Sequence, residues 1–243
     1  MRSSILLVSL VAGSLVLAAC VAEGNRLFQS PCPAPCWYGV TPGQTTESQL
    51  RMLIPSFPYY QQQEFSWRER KDPTYDLSRT PEPAVSRFDM AVDDGVEAGL
   101  GITLMDDVVA RIEIRSAWGV LGQTDLGLSL AEALAQYGEP SRVMVGQGCG
   151  GDQACLNLYL IYPDVGVVVA TTASIAREDP LEVQAAGSLR VRSVAFVAPD
   201  DIENYLQDAN SAYSVDCLMS HFSAPWQGPA LLRFSESIWV CDR

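Results

Sequence analysis

Hydrophobic periodicity in the first half of the chain predicts one helix followed by four strands. Thr45 or Thr46 is a suitable N-cap, and Leu50, Leu53 and Ile54 follow at helical spacing. Apolar and polar positions then alternate in four runs, which predict strands at 64–70, 84–92, 98–104 and 108–115. The last run alternates cleanly, which is typical of a strand with one buried face and one solvent-facing face.

The second half of the chain repeats this order. Ser129 is the predicted N-cap of a second helix, Glu132 completes a capping box, and Gly138-Glu139-Pro140 ends the helix. The apolar face of this helix comprises Leu130, Ala133, Leu134 and Tyr137. Strands are predicted at 141–145, 155–162, 166–172 and 189–197, with a turn at 163–166 and a final helix at 200–206 that has Asp200 as its cap and Glu203 at the reciprocal position.

The matching order of elements predicts a duplicated unit of one helix and four strands. Short turns between neighbouring strands favour antiparallel sheets with the helices packed on one face, which is the α+β class. The predicted segments are a signal peptide at 1–19, a tether at 20–31, a first unit at 32–122, a second unit at 123–210 and a disulfide-stapled C-terminal segment at 211–243.

The N-terminus has the features of an export signal. A cationic start at Arg2 precedes an apolar stretch at 5–16. Counted to residue 19, this stretch spans 15 residues, whereas a membrane-crossing helix needs roughly 20. The run Leu17-Ala18-Ala19-Cys20 resembles the lipobox of bacterial lipoprotein precursors. An ordinary signal peptide and an uncleaved anchor are the alternatives.

The lipobox resemblance implies that Cys20 carries acyl chains such as palmitate and becomes the first residue of the mature protein. Acyl chains contribute roughly 0.8 kcal/mol per buried methylene, so two or three of them hold a domain at a bilayer. The protein is therefore expected outside the cytoplasm, anchored to the cell membrane by lipid. Val21 replaces the aspartate that retains some lipoproteins at the inner membrane, so an outer-membrane location is expected where the organism has one.

Two further resemblances concern the domain. The second helix, with Gly127 and Ser129 at its start and Gly138 and Pro140 at its end, is similar to SmpA/OmlA-type outer-membrane assembly lipoproteins and to beta-lactamase-inhibitor-like modules. In the first unit Gly43 and Thr45 match, but its helix ends in Ile54-Pro55-Ser56-Phe57-Pro58 without the glycine. The block at 31–43 resembles the opening of uncharacterised exported lipoproteins. These resemblances imply a binding or scaffolding role by analogy, because fold does not fix function.

Charge and composition restrict the partners. The formal net charge of −13 argues against nucleic acid and anionic lipid headgroups, because both repel such a chain. A hydrophobic content of 48% excludes a disordered chain. The expected contacts are the membrane through the lipid anchor and an envelope protein or a cell-wall glycan.

Cysteine usage agrees with export. Apart from Cys20, the cysteines number six: Cys32, Cys36, Cys149, Cys155, Cys217 and Cys241. An even number in an exported protein favours three disulfides. We predict that each cysteine pairs with its neighbour in sequence, although fifteen pairings are open in principle. Three residues separate Cys32 from Cys36, whereas thioredoxin-type motifs have two, and zinc would need an all-cysteine ligand set. No metal or cofactor is expected.

Catalytic motifs are weak. His221 is the only histidine and follows Cys217 by four residues, but Cys217 is expected in a disulfide and His221 in a loop before Pro225. The glycine-rich segment 146–152 lacks the Lys-[Ser/Thr] ending of a phosphate loop and is better explained as a hairpin end. No catalytic residue is assigned.

Acidic and aromatic clusters are the remaining candidates. Acidic residues at Asp89/Asp93/Asp94/Glu97 and at Asp106/Asp107 lack the ligand spacing of a calcium hand loop and are predicted to be solvated turns. Most tryptophans are predicted in the core, whereas Tyr59 and Tyr60, between prolines and glutamines, are the predicted exposed pair for ligand contact.

These observations predict a lipid-anchored extracytoplasmic protein of the bacterial envelope that binds or scaffolds without catalysis. The alternative is an envelope hydrolase that acts on glycan or peptide through carboxylates that the sequence does not identify.

Overall fold

The computed structural model describes residues 30–57, 65–71, 85–92, 98–116, 128–146, 155–178, 181–186, 188–210, 214–234 and 241. The helices in these ranges are α1 Glu47–Leu53, α2 Leu130–Tyr137, α3 Ile202–Ala209 and α4 Val215–His221. The strands are β1 Phe65–Lys71, β2 Val85–Val92, β3 Ala98–Met105, β4 Val108–Ser116, β5 Arg142–Gly146, β6 Cys155–Tyr162, β7 Val167–Glu178, β8 Leu181–Gln184, β9 Val191–Val197, β10 Ser223–Pro225 and β11 Leu231–Arg233. Helices over a mostly antiparallel sheet confirm the α+β class.

Both predicted units contribute to one sheet. Its strand order is β1-β2-β3-β4-β9-β7-β6-β5-β10, while β8 pairs with β7 and β11 pairs with β8. Each unit is an up-and-down antiparallel meander. The last strands of the two meanders, β4 and β9, pair antiparallel in the middle of the sheet. The two meanders therefore meet strand to strand.

Each repeat helix is attached to its meander in the same way. The N-cap of α1, Thr46, forms a β-bridge with Val108 at the start of β4, and the N-cap of α2, Ser129, forms one with Arg190 just before β9. The same two backbone hydrogen bonds flank each bridge: Glu47 N to Asp107 O and Val109 N to Thr45 O in the first, and Leu130 N to Leu189 O and Val191 N to Leu128 O in the second. The two units therefore share the same bonding between helix start and last strand, although the second contains an additional strand, β8.

Capping boxes begin both repeat helices. The Thr46 hydroxyl accepts from the Gln49 N–H while the Gln49 side chain accepts from the Thr46 N–H, and Ser129 and Glu132 make the same exchange in α2. Hydrogen bonds from the backbone and side chain of Ser129 lower the pKa of Glu132 below its usual range. The predictions of Thr46, Ser129 and Glu132 as capping residues are confirmed.

The two faces of the sheet differ in chemistry at β4. On β4, Ile112 and Ile114 are fully buried and register with Phe196 and Val194 of β9; we call this side the apolar face. Helix α2 lies here, since the Tyr137 ring contacts Phe196 at 6.4 Å between centroids. The alternate β4 residues lie on the other side, which we call the polar face: Arg111, Glu113 and Arg115.

Helix α3 lies on the polar face, because its Tyr205 hydroxyl donates to Glu113. The predicted packing of helices on one face thus holds for α2, whereas α3 covers part of the opposite face. Helix α3 is amphipathic, and its buried residues are Ile202, Tyr205 and Leu206.

Several local predictions are corrected. The final helix begins at Ile202, not 200, because Pro199–Asp201 forms a 3₁₀ turn; Asp200 is therefore not its cap, and Asp201 makes no side-chain capping bond. Strand β9 begins at Val191 rather than 189. Four short elements were not predicted from the pattern: α4, β8, β10 and β11.

The predicted turn at 163–166 is a 3₁₀ turn that ends at Gly166. Gly166 has φ of 61°, and a Cβ there would overlap the carbonyl oxygen of Val197, so glycine is required. Among the described helices, none combines the length and the apolar character needed to cross a membrane.

Candidate functional site

The polar face carries a buried carboxylate at its centre. Glu113 is 7% exposed and lies in the middle of β4. It forms an ion pair with Arg115, two residues along the same strand face, and accepts a hydrogen bond of 3.3 Å from the Tyr205 hydroxyl. Burial, reinforced by the Glu113 charge, raises the pKa of Tyr205 well above its usual value, so this hydroxyl stays protonated and remains a donor.

A second contact fixes α3 to β4. Arg111 pairs with Asp208 at 2.8 Å, and its guanidinium carbon lies 5.9 Å from the centroid of the Tyr205 ring. The Arg111 side chain also donates to the Thr103 hydroxyl on β3 at 3.4 Å. The carboxylate of Asp208 thus reaches from the helix to the polar face, 97 residues away in sequence.

A β-bulge directs another arginine onto this face. The pairing of β7 with β9 shifts between Ala170 and Thr171, which leaves Arg192 as the extra residue beside Ser193. The Arg192 guanidinium donates to the side-chain amide oxygen (Oδ1) of Asn157 and to the Thr172 hydroxyl, both at 3.2 Å. Burial lowers the pKa of Arg192.

Strand register defines two cross-strand rows on the first meander, which together we call the arginine rows. One row runs Arg70, Arg87, Thr103, Arg111, and the other runs Arg68, Asp89, Gly101, Glu113. Gly99 and Arg115 pair in the next row. With Arg115, these rows hold five of the fifteen arginines in the chain. The Arg115 side chain is 49% exposed, so the face is open to solvent there.

Two of the three predicted disulfides are confirmed. Cys32–Cys36 and Cys217–Cys241 are bonded, with Cα–Cα distances of 5.6 and 5.5 Å. Cys149 lies outside the described residues and the side chain of Cys155 is also outside them, so the third bridge stays a prediction. Cys20, Tyr59 and Tyr60 lie outside the described residues too.

The structure describes two of the weak catalytic candidates, Cys217 and His221. His221 is the last residue of α4 rather than part of a loop, and the sulfur of Cys217 is held in the disulfide, so the two form no thiol–imidazole pair. Trp37 is fully buried against Phe57, as expected for a core tryptophan. Within the described ranges, no group of three or more His, Cys, Asp or Glu residues could hold a metal ion.

Asp106 and Asp107 form the predicted turn between β3 and β4. Both have positive φ, 50° and 62°, as a two-residue hairpin turn requires. They border an open groove of about 420 Å³ beside the first turn of α1. The nearby Glu47 is paired with Arg51 at 2.6 Å.

The polar-face residues were not singled out from the sequence. The alternation of Arg111, Glu113 and Arg115 was a usable signal, because charged residues at every second position mark the polar side of a strand. Tyr205 and Asp208 gave no such signal, since they reach this face only through the packing of α3.

No protein family, characterised protein or solved structure matches this chain.

Removal of the Glu113 carboxylate tests the buried network. Glu113→Ala should lower the free energy of unfolding by about 2 kcal/mol, because the Tyr205 hydroxyl loses its acceptor while buried. Tyr205→Phe in the same chain should recover about 1 kcal/mol of that loss by removing the orphaned hydroxyl. Urea unfolding of both single variants and the double variant gives the coupling, and strictly additive effects would contradict the network.

Proposed function

We propose that the protein is a lipid-anchored extracytoplasmic binding protein of the bacterial cell envelope. The binding role is supported chiefly by the polar face: α3 reaches it at β4, while the neighbouring rows place five arginines beside two β3 glycines. Five arginines against Asp89, Glu113 and Asp208 give this face an excess of positive charge in a chain of net charge −13, which favours a partner of opposite charge.

The location is supported separately. The two disulfides indicate a protein that folds outside the reducing cytoplasm. The finer assignment, a lipid on Cys20, rests on the Leu17-Ala18-Ala19-Cys20 resemblance. The hydrolase alternative gains no support from the described residues, where Glu113 is the single buried carboxylate and is held by Arg115 and Tyr205.

The anchor is tested by Cys20→Ser. We expect this variant to move from the membrane fraction to the soluble fraction and to lose labelling by radioactive palmitate, because a soluble domain without acyl chains has no stable hold on a bilayer. The matched control is Ser4→Ala, a substitution within the same predicted signal peptide, and it should leave both readouts unchanged. Retention of the Cys20→Ser variant in membranes would instead support an uncleaved anchor.

A further inference from the structure

The two described disulfides differ in accessibility. Both cysteines of the Cys32–Cys36 bridge are partly exposed, and Pro33 between them is exposed. In the Cys217–Cys241 bridge, by contrast, Cys241 is only 2% exposed. A thiolate has to contact a sulfur atom in order to attack a disulfide, so an exposed bridge is reduced more readily than a buried one. Accessibility therefore favours Cys32–Cys36 as the bridge that reacts with thiols.

The length of the closed loop favours the same bridge. Cys32 and Cys36 are 4 residues apart in sequence, whereas Cys217 and Cys241 are 24 apart. The shorter loop removes less entropy from the unfolded chain, so its bridge stabilises the fold less. By the same thermodynamic cycle, the fold stabilises the shorter bridge less against reduction. Opening of Cys32–Cys36 therefore disturbs the rest of the molecule less than opening of the longer bridge.

A serine hydroxyl distinguishes one sulfur of this bridge. The Ser30 Oγ accepts hydrogen bonds from the Cys32 N–H at 3.3 Å and from the Tyr38 N–H at 3.1 Å. It lies 3.1 Å from the Cys32 Sγ, which carries no proton in the disulfide, so the Ser30 hydroxyl is the donor to this sulfur. A thiolate accepts such a bond more strongly, because charge-assisted hydrogen bonds are roughly twice as strong as neutral ones. The hydroxyl therefore stabilises Cys32 as the leaving group when the bridge is attacked.

Contacts that do not involve sulfur hold the end of the loop at Cys36. Trp37, the next residue, is fully buried and contacts Phe57 with ring centroids 4.9 Å apart. Its backbone exchanges two hydrogen bonds with Val40, at 2.8 and 2.9 Å. Because these contacts do not depend on the bridge, they keep Cys36 near Cys32 after the bridge opens and allow it to form again.

We propose that Cys32–Cys36 is a thiol–disulfide exchange site whose substrate is a thiolate. The incoming thiolate, which has lost its proton to solvent, attacks the Cys36 Sγ and forms a new S–S bond there. The bond between Cys36 and Cys32 breaks, and its electron pair leaves on the Cys32 Sγ, beside the Ser30 hydroxyl. One disulfide replaces another, so no external oxidant or reductant is consumed. The Cys32 thiolate reverses the step by attacking the mixed disulfide. This activity is additional to the proposed binding function and does not depend on it.

Exchange with glutathione tests the proposal. The full chain, purified in a neutral detergent, is incubated with reduced glutathione without denaturant, alkylated to trap free thiols and mapped by mass spectrometry. We expect Cys32–Cys36 to open while Cys217–Cys241 stays intact, with glutathione on Cys36 and the alkyl group on Cys32. No exchange, opening of both bridges at the same rate, or glutathione mainly on Cys32 would overturn the proposal.

The role of Ser30 is tested by substitution. Ser30→Ala should slow the exchange about threefold and shift alkylation of reduced Cys32 to higher pH, because the thiolate loses its donor. Ser30→Thr keeps a hydroxyl and should restore both readouts. Ser56→Ala, which removes an exposed hydroxyl that donates to the Leu53 carbonyl oxygen, is the matched control and should change neither. An unchanged unfolding midpoint shows that each variant is folded, and an unchanged exchange rate in folded Ser30→Ala would contradict the stabilised leaving group.

A second substrate identifies the source of the thiolate. A short unstructured peptide with one cysteine replaces glutathione at the same thiolate concentration. Faster exchange with the peptide indicates polypeptide thiols as the substrate, and faster exchange with glutathione indicates small-molecule thiols. Either order supports exchange at Cys32–Cys36, whereas reaction with neither thiol overturns it.

Discussion

Replacement of Phe196 by alanine is expected to lower the free energy of unfolding by about 4 kcal/mol, one of the two largest effects that we predict for a change in this protein. Phe196 is 1% exposed and lies on β9, where it registers with Ile112 of β4 and with Val167 of β7. Its ring also contacts Tyr137 of α2. The substitution therefore leaves a cavity where the two meanders meet.

The position of the cavity determines the form of the unfolding curve. Since β9 pairs with β4 from the first meander and β7 from the second, loss of Phe196 weakens both pairings at once. We expect urea unfolding, followed by tryptophan fluorescence and by far-UV circular dichroism, to shift to lower denaturant in a single coincident transition.

Two control variants separate cavity formation from other effects. Phe196→Leu keeps most of the buried volume and should cost less than about 1.5 kcal/mol. Met52→Ala removes a large apolar side chain that is 74% exposed on α1 and should change stability by less than about 0.5 kcal/mol. A Phe196→Ala effect as small as that of Met52→Ala would show that the join between the meanders does not depend on this ring.

Local signals in the sequence predicted the parts of the fold that local chemistry determines. The Thr46 and Ser129 caps depend on residues within one helical turn, and the Asp106-Asp107 hairpin depends on two adjacent residues, so each was visible without the rest of the chain. The neighbour pairing of Cys32 with Cys36 and of Cys217 with Cys241 was also predicted. Except for Cys217 and Cys241, which are 24 residues apart, the interacting groups are close in sequence.

Features that depend on distant segments were not predicted. Alternation in 108–115 indicated a polar face, but it did not show that β9 would pair beside β4 or that α3 would bring Asp208 to Arg111. The strands β8, β10 and β11 are three or four residues long, which is too short for a two-residue period to be distinguished from chance. The Asp200 cap failed because Pro199 begins a 3₁₀ turn that delays the helix.

The candidate site likewise combines features that local sequence indicates and features that depend on distant segments. Glu113 and its neighbouring arginines could have been recognised as the polar positions of an alternating strand, whereas the register of β1, β2, β3 and β4 was needed to show that Arg70, Arg87 and Arg111 share one row. Burial decided the role of Glu113, because an exposed carboxylate at the same position would have had water rather than Arg115 and Tyr205 as its partners.

Loss of the Cys217–Cys241 bridge is the second large effect that we expect. The bridge joins residues 24 apart, so it restricts a longer loop of the unfolded chain than Cys32–Cys36, whose residues are 4 apart. Chain-entropy arguments give about 3.5 kcal/mol for the first bridge and about 2 kcal/mol for the second. Cysteine-to-alanine substitution of both residues of one bridge at a time should therefore destabilise the protein unequally, and urea unfolding measures both effects.

The contacts around Cys217 and Cys241 give a second reason to expect the larger stability loss from this bridge. Helix α4, which contains Cys217, buries Val215 and Leu218, and the Ser214 N–H donates to the Cys241 carbonyl oxygen at 3.1 Å. Without the bridge, Cys241 keeps this hydrogen bond but loses its covalent link to α4. The two bridge variants serve as controls for each other, because each removes one pair of sulfur atoms and leaves two alanine methyl groups. Equal destabilisation, or a larger loss from the Cys32–Cys36 variant, would show that native packing rather than loop length determines what each bridge contributes.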